Sequence, residues 1–130
     1  MKILVIDDDY LVRYTLARIL RSNRHEVVTA GDGHHGMALF REQRPDLVIT
    51  DIIMPEQEGI ETIRRIRGEC PDAKIIAISG GGRICDLDVL AMARKLGADD
   101  VIAKPFDAEG LLGRVRRLNS LSTQDSGVAA

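Results

Sequence analysis

Short apolar runs alternate with amphipathic stretches five times along this chain, each time as a strand followed by a helix. Apolar residues fill Ile3-Leu4-Val5-Ile6, Leu47-Val48-Ile49-Thr50, Lys74-Ile75-Ile76-Ala77-Ile78 and Val101-Ile102-Ala103, and Glu26 to Thr29 is a shorter run of the same kind. Runs of this length, bounded by polar or Gly/Pro signals, read as strands buried in a parallel sheet. The stretches between them have helical spacing. Tyr10 to Arg21 carries Val12, Leu16, Ile19 and Leu20 on one side, and Met37, Ala38 and Phe40 mark a second helix that stops before Pro45. A third helix carries Ile60, Ile63 and Ile66 and ends near Gly68 and Pro71. A fourth spans roughly Ile84 to Leu96 and stops at Gly97, a C-terminal cap. Asp107 can cap the fifth, whose Leu111, Leu112, Val115 and Leu118 form a core stripe opposite Arg114, Arg116 and Arg117.

This order predicts an α/β fold: a doubly wound, five-stranded parallel sheet with helices on both faces and right-handed crossovers. At 130 residues the chain is long enough for one real core. Residues 1–119 form the expected domain, and 120–130, small, polar and aperiodic, the expected unstructured tail.

Composition narrows the function classes. A formal net charge of -2 gives no reason to expect direct nucleic-acid binding. Cys70 and Cys85 fit no zinc spacing and nothing suggests a secretory route, so both are expected as free thiols of a cytoplasmic protein. No apolar run approaches the length of a membrane span. His25, His34 and His35 lack metal spacing and are expected at the surface. Cys85 and Met92 fall on the apolar side of the fourth helix, and the three arginines of the fifth read as a solvated face.

The candidate chemistry lies at the strand ends. Ile6 runs into Asp7-Asp8-Asp9, Thr50 into Asp51, Ile78 into Ser79-Gly80-Gly81-Gly82, and Ala103 into Lys104-Pro105. A parallel sheet delivers the last residue of every strand to one edge, so these residues should meet although they span most of the chain. Neighbouring carboxylates are unfavourable without a neutralising cation. Mg²⁺ suits Asp7 and Asp8, because it takes oxygen ligands and commonly uses one or two carboxylates plus phosphate oxygens. Asp9 reads as merely solvated. Asp51 can attack phosphorus to give an acyl phosphate, Lys104 can neutralise phosphoryl oxygens, and Ser79 can donate a hydroxyl hydrogen bond.

With ILVIDDD at its start, DLVITDIIMP around Asp51, KIIAISGGG around Ser79 and GADDVIAKPF around Lys104, the chain resembles the response-regulator receiver domain over about residues 2 to 118. The resemblance implies a flavodoxin-like sheet of order 2-1-3-4-5. It implies Asp51 as phosphoacceptor and Mg²⁺ ligand, Asp8 as direct Mg²⁺ ligand with Asp7 assisting through water, and the backbone carbonyl of Ile53 as a further ligand. It also implies Lys104 and Ser79, with Gly80 beside it, as the phosphoryl-binding and switch residues. The bond from Lys104 to Pro105 is implied to be cis. Where the family often carries an aromatic switch residue this chain has Val101, and the loop after Pro55 reads Glu56-Gln57-Glu58 before Gly59. The span from Ser79 to Gly97 is longer than usual, which leaves the start of the fourth helix open.

The implied function is a single-domain response regulator that takes a phosphoryl group from a sensor histidine kinase or phosphotransfer protein and switches an interaction face. It would be a monomer or a phosphorylation-dependent homodimer, and not an enzyme beyond slow autodephosphorylation. A small Mg²⁺-dependent phosphohydrolase is the alternative from another class, and a receiver cut from a longer regulator is a third. Gly31-Asp32-Gly33-His34-His35-Gly36 also matches a dinucleotide fingerprint with Asp51 twenty residues on, but it follows the second strand and leaves the Asp/Ser/Lys edge unexplained. Gly80-Gly81-Gly82-Arg83 lacks the Lys-Ser/Thr ending of a P-loop. Leu11 stands where aspartate-nucleophile phosphatases of the haloacid dehalogenase type want Thr or Val.

Overall fold

The structure is a computed structural model that describes residues 1–52, 58–79, 91, 95 and 97–129, with the backbone alone at 58 and 121–129. Each apolar run forms a strand: β1 (Lys2–Ile6), β2 (Glu26–Ala30), β3 (Leu47–Asp51), β4 (Lys74–Ser79) and β5 (Asp100–Ala103). They pair in parallel in the order β2-β1-β3-β4-β5, the implied doubly wound topology. Helices α1 (Tyr10–Ser22), α2 (Gly33–Gln43), α3 (Glu58–Glu69) and a C-terminal helix (Ala108–Ala129) are described. The predicted fourth helix, with Cys85 and Met92, lies almost wholly outside the described residues.

Side chains alternate across a strand, so each strand supplies both cores. Ile3, Val5, Ile49, Ile76 and Ile78 pack with Leu16 and Leu20 of α1 and Leu111, Val115 and Leu118 of the C-terminal helix. Leu4, Ile6, Val48, Ile75 and Ala77 pack with Met37 and Phe40 of α2 and Ile63 and Ile66 of α3. Burial on both faces explains why the strands read as continuous apolar runs.

Register decides what reaches the sheet edge. Ile6 lies level with Ala30 and Thr50, Asp51 with Ile78, and Ser79 with Ala103. Asp7, Asp51, Ser79 and Lys104 therefore leave the sheet at nearly one height. At the opposite edge Arg67 donates to the carbonyls of Gly97, Pro71 and Ala73 and pairs with Asp99, tying α3 to the entries of β4 and β5.

Several expectations need correction. Asp9 is the N-cap of α1, its Oδ1 accepting from Leu11 and Val12, and is not merely solvated. Arg116 and Arg117 are exposed, but Arg114 donates at 2.7 Å to the buried carboxylate of Asp100. His25 is half-buried, its Nδ1 3.2 Å from the Met1 amine. The periodicity ends the last helix near Leu118 with an unstructured tail from Ser120, whereas the helix runs on to Ala129. Residues 119–126 contain no Pro or Gly, and extending a nucleated helix is far easier than starting one. Among the described residues no helix is long and apolar enough to cross a membrane.

Candidate functional site

The loop leaving β1 separates two adjacent carboxylates. Asp7 is wholly buried and Asp8 is exposed. The Asp7 amide donates to the Ala30 carbonyl at 3.1 Å, which holds the loop against β2. Its Oδ1 accepts from the Asp9 amide at 2.8 Å. Its Oδ2 is buried without a hydrogen-bond partner among the described residues and has the Lys104 ammonium 3.6 Å away.

Asp51, 3 % exposed, ends β3. Its Oδ2 accepts from Lys104 Nζ at 2.9 Å. The chain beyond is held where the Ile52 amide donates to the Ile78 carbonyl at 2.9 Å. Lys104 follows β5, and its amide donates to the Ser79 carbonyl at 2.8 Å, so the lysine and the serine strand end are tied through the main chain. The Lys104–Pro105 bond is cis. Ser79 and Val101 are buried.

One carboxylate oxygen each from Asp7, Asp8 and Asp51 fall within 4.8 Å of one another. Burial, and then the charge of Asp51, push the Asp7 carboxyl up to about 6, against the help of the Asp9 amide and Lys104. Burial alone would lower the Lys104 ammonium, but its hydrogen bond to Asp51 and the charges of Asp51 and Asp7 outweigh that and raise it. Three acids facing one lysine leave excess negative charge, and the partnerless Asp7 Oδ2 is one of its buried atoms. An all-oxygen set of this kind fits a hard divalent cation such as Mg²⁺.

The structure thus brings Asp7, Asp8, Asp51 and Lys104 together and ties Ser79 to Lys104 by backbone. Ile53 and Gly80 lie outside the described residues. Two neighbours of the site carry no role in the sequence pattern. Gly59 is buried in the first turn of α3, where an added Cβ would run into the Asp51 carbonyl oxygen and come within 2.8 Å of Ile52 backbone. Arg13 donates from Nη1 to the Asp7 carbonyl at 2.7 Å. The glycine could have been flagged as a close-approach position, but a side chain bonding to a distant carbonyl leaves no periodic trace. The dinucleotide fingerprint has a different explanation: Asp32 caps α2, and a Cβ on Gly36 would fall 2.5 Å from Ile6 Cδ1, so that glycine serves helix-to-sheet packing.

Comparison with known proteins agrees with this geometry. The family described as "Response regulator receiver domain" matches residues 3–116. The response regulator MprA of Mycolicibacterium vanbaalenii is 37 % identical over 131 residues, covering 98 % of this chain and 54 % of that protein. The chain spans about half the length of the curated relatives it matches. Among solved structures, NtrX from Brucella abortus in complex with ATP superposes with a TM-score of 0.88 at 32 % identity, covering 98 % of this chain and 29 % of the other. A response regulator receiver domain protein from Clostridium thermocellum gives 0.84 at 32 % identity, covering 95 % and 97 % of the two chains. The family match over most of the chain and the shared strand order lead to one conclusion: this chain belongs to the response-regulator receiver domain family of two-component systems.

Proposed function

We propose that this chain is a phosphorylation-controlled switch in which Asp51 accepts a phosphoryl group from the phosphohistidine of a sensor histidine kinase or a phosphotransfer protein. The observation that carries the reading is the convergence of three carboxylates within 4.8 Å, one of them 2.9 Å from a lysine ammonium, at the end of a buried strand. The Asp51 oxygen–phosphorus bond would form as the donor's nitrogen–phosphorus bond breaks. Asp7 and Asp8 would hold Mg²⁺, which supplies neutralisation of phosphoryl oxygen charge when bound. Lys104, 2.9 Å from Asp51 and 3.6 Å from Asp7, would supply a second positive charge to the phosphoryl oxygens.

The switching part of the proposal rests on two features. The Lys104 amide is bonded to the Ser79 carbonyl, so a shift of either residue towards a phosphoryl group pulls on the other strand end. Val101 is buried and has no ring to rotate, which supports a response carried by the backbone of β5 and the adjoining C-terminal helix. A cytoplasmic setting and a downstream protein target belong to the same proposal.

The test is phosphorylation by acetyl phosphate, read by intact mass. One phosphoryl group should add to the wild type with Mg²⁺, none with EDTA, and none to Asp51→Asn. Persistent labelling of Asp51→Asn would sink the assignment of the nucleophile, and repeated turnover of a phosphomonoester without protein labelling would mark a hydrolase instead.

A further inference from the structure

Asp8 is exposed, and among the described residues no hydrogen bond or ion pair holds its carboxylate. The direction in which it points is therefore left to its backbone. Two peptide planes meet at its Cα. The plane before it carries the Asp7 carbonyl, which accepts from Arg13 Nη1 at 2.7 Å. The plane after it carries the Asp9 amide, which donates to Asp7 Oδ1 at 2.8 Å. Peptide units are rigid, so fixing one atom on each plane limits φ and ψ at Asp8 and with them the Cα–Cβ direction.

From this geometry we infer that Arg13 is a positioning residue, which aims the Asp8 carboxylate at the cation site through the Asp7 carbonyl. The inference deepens the proposed function and rests on its reading of Asp7, Asp8 and Asp51 as a Mg²⁺ site. Asp7 has other anchors, in the Ala30 carbonyl and the Asp9 amide. Among the described residues, Asp8 has only the bracket just described. Arg13 is itself held. Its guanidinium carbon lies 5.6 Å from the centroid of the Tyr10 ring, one turn earlier on the same helix face. Tyr10 in turn stacks on Tyr14, with ring centroids 6.2 Å apart at 23°. Gly31 also adjoins it, since an added Cβ there would come 3.2 Å from Arg13 Nη1. The glycine leaves the slot in which the guanidinium sits. This arrangement also gives a reason for two tyrosines that are 64 % and 52 % exposed on α1.

A charge-only role for Arg13 makes the opposite prediction. Removing a positive charge beside three carboxylates favours a divalent cation, so Arg13→Ala would tighten Mg²⁺ if charge were all that mattered. Loss of positioning weakens it. Outer partners of metal ligands typically contribute about 10–100-fold to affinity.

The experiment is titration of the full chain with Mg²⁺ alone, without any phosphodonor, followed by calorimetry and by the amide NMR shifts of Asp8 and Asp9. Arg13→Ala should raise the Mg²⁺ Kd about tenfold or more. Arg13→Lys, which keeps the charge on a stem one bond shorter and loses the planar stacking on Tyr10, should raise it too, by less than the alanine variant does. Metal-free thermal midpoints show that the variants are folded, and the lysine variant decides the matter should the alanine variant not fold. An unchanged or tighter Kd in folded Arg13→Ala, or, where that variant does not fold, an unchanged or tighter Kd in Arg13→Lys, would overturn the inference while leaving the Mg²⁺ reading intact. A wild-type chain that does not bind Mg²⁺ would overturn that reading and this inference with it.

Discussion

Replacing Asp7 by Asn removes a carboxylate that the fold buries at an energetic cost, and the size of the effect follows from the geometry. Asp7 is wholly buried, and its carboxyl is pushed from 3.8 up to about 6 by burial first and the nearby Asp51 charge second. A folded-state pKa above the unfolded one means that the metal-free fold is favoured while the group is protonated. That advantage is complete below about 3.8 and is lost as pH rises through about 6. A difference of about two pH units corresponds to about 3 kcal/mol of destabilisation above that range. Asn keeps the acceptor for the Asp9 amide but places an amide nitrogen where the partnerless Oδ2 was, 3.6 Å from the Lys104 ammonium. An unpaired buried donor costs about 1–3 kcal/mol, so the net gain should be about 0–2 kcal/mol at pH 7.5. In a domain of this size that is at most roughly 8 °C in thermal midpoint. The assay is denaturation of wild type and Asp7→Asn in EDTA from pH 4 to pH 8. Comparing the two proteins cancels His25, whose pKa is lowered by burial first and by the Met1 amine second, and which therefore contributes in the opposite sense as pH falls. The mutant's advantage should shrink towards pH 4. Saturating Mg²⁺ should abolish or reverse it at pH 7.5, because ligand binding stabilises the wild type selectively. A wild type that gains on the mutant as metal-free pH rises from 4 to 8 would refute the reasoning.

Two further outcomes follow from other contacts of the site. Lys104→Met should slow labelling by acetyl phosphate at least about a hundredfold, since a positioned cation at developing charge is typically worth that much, while Mg²⁺ binding measured by titration is retained or tightened. Gly59→Ala should lower stability by about 1–3 kcal/mol, as overpacking does, and should slow labelling as well, because its new methyl group meets the Asp51 and Ile52 backbone and not a flexible side chain. Denaturant unfolding and the labelling rate check the pair.

Much of this protein was legible in one dimension. Strands buried on both faces must be apolar throughout, so β1, β3, β4 and β5 announce themselves in the chain. Parallel pairing then sends Asp7, Asp51, Ser79 and Lys104 to one edge with no further information needed. The order of the strands is different in kind, because similar apolar runs carry no mark of which neighbours which, and it came through the family resemblance. Asp9 carried a readable signal, a capping residue directly ahead of a helical pattern, although solvation is an equally local reading.

Tertiary structure alone decided the rest. Asp7 and Asp8 are adjacent and chemically identical, yet one is wholly buried, with an oxygen that has no hydrogen-bond partner among the described residues, and the other is exposed. The turn of the loop against β2 makes that difference, and no composition or spacing encodes it. Arg13 on the Asp7 carbonyl, Arg114 on buried Asp100, and Arg67 on three carbonyls are bonds from long side chains to partners fixed by the packing of other elements. Hydrophobic periodicity records which face of an element is buried. Where a flexible charged side chain ends depends on what the rest of the fold places within its reach.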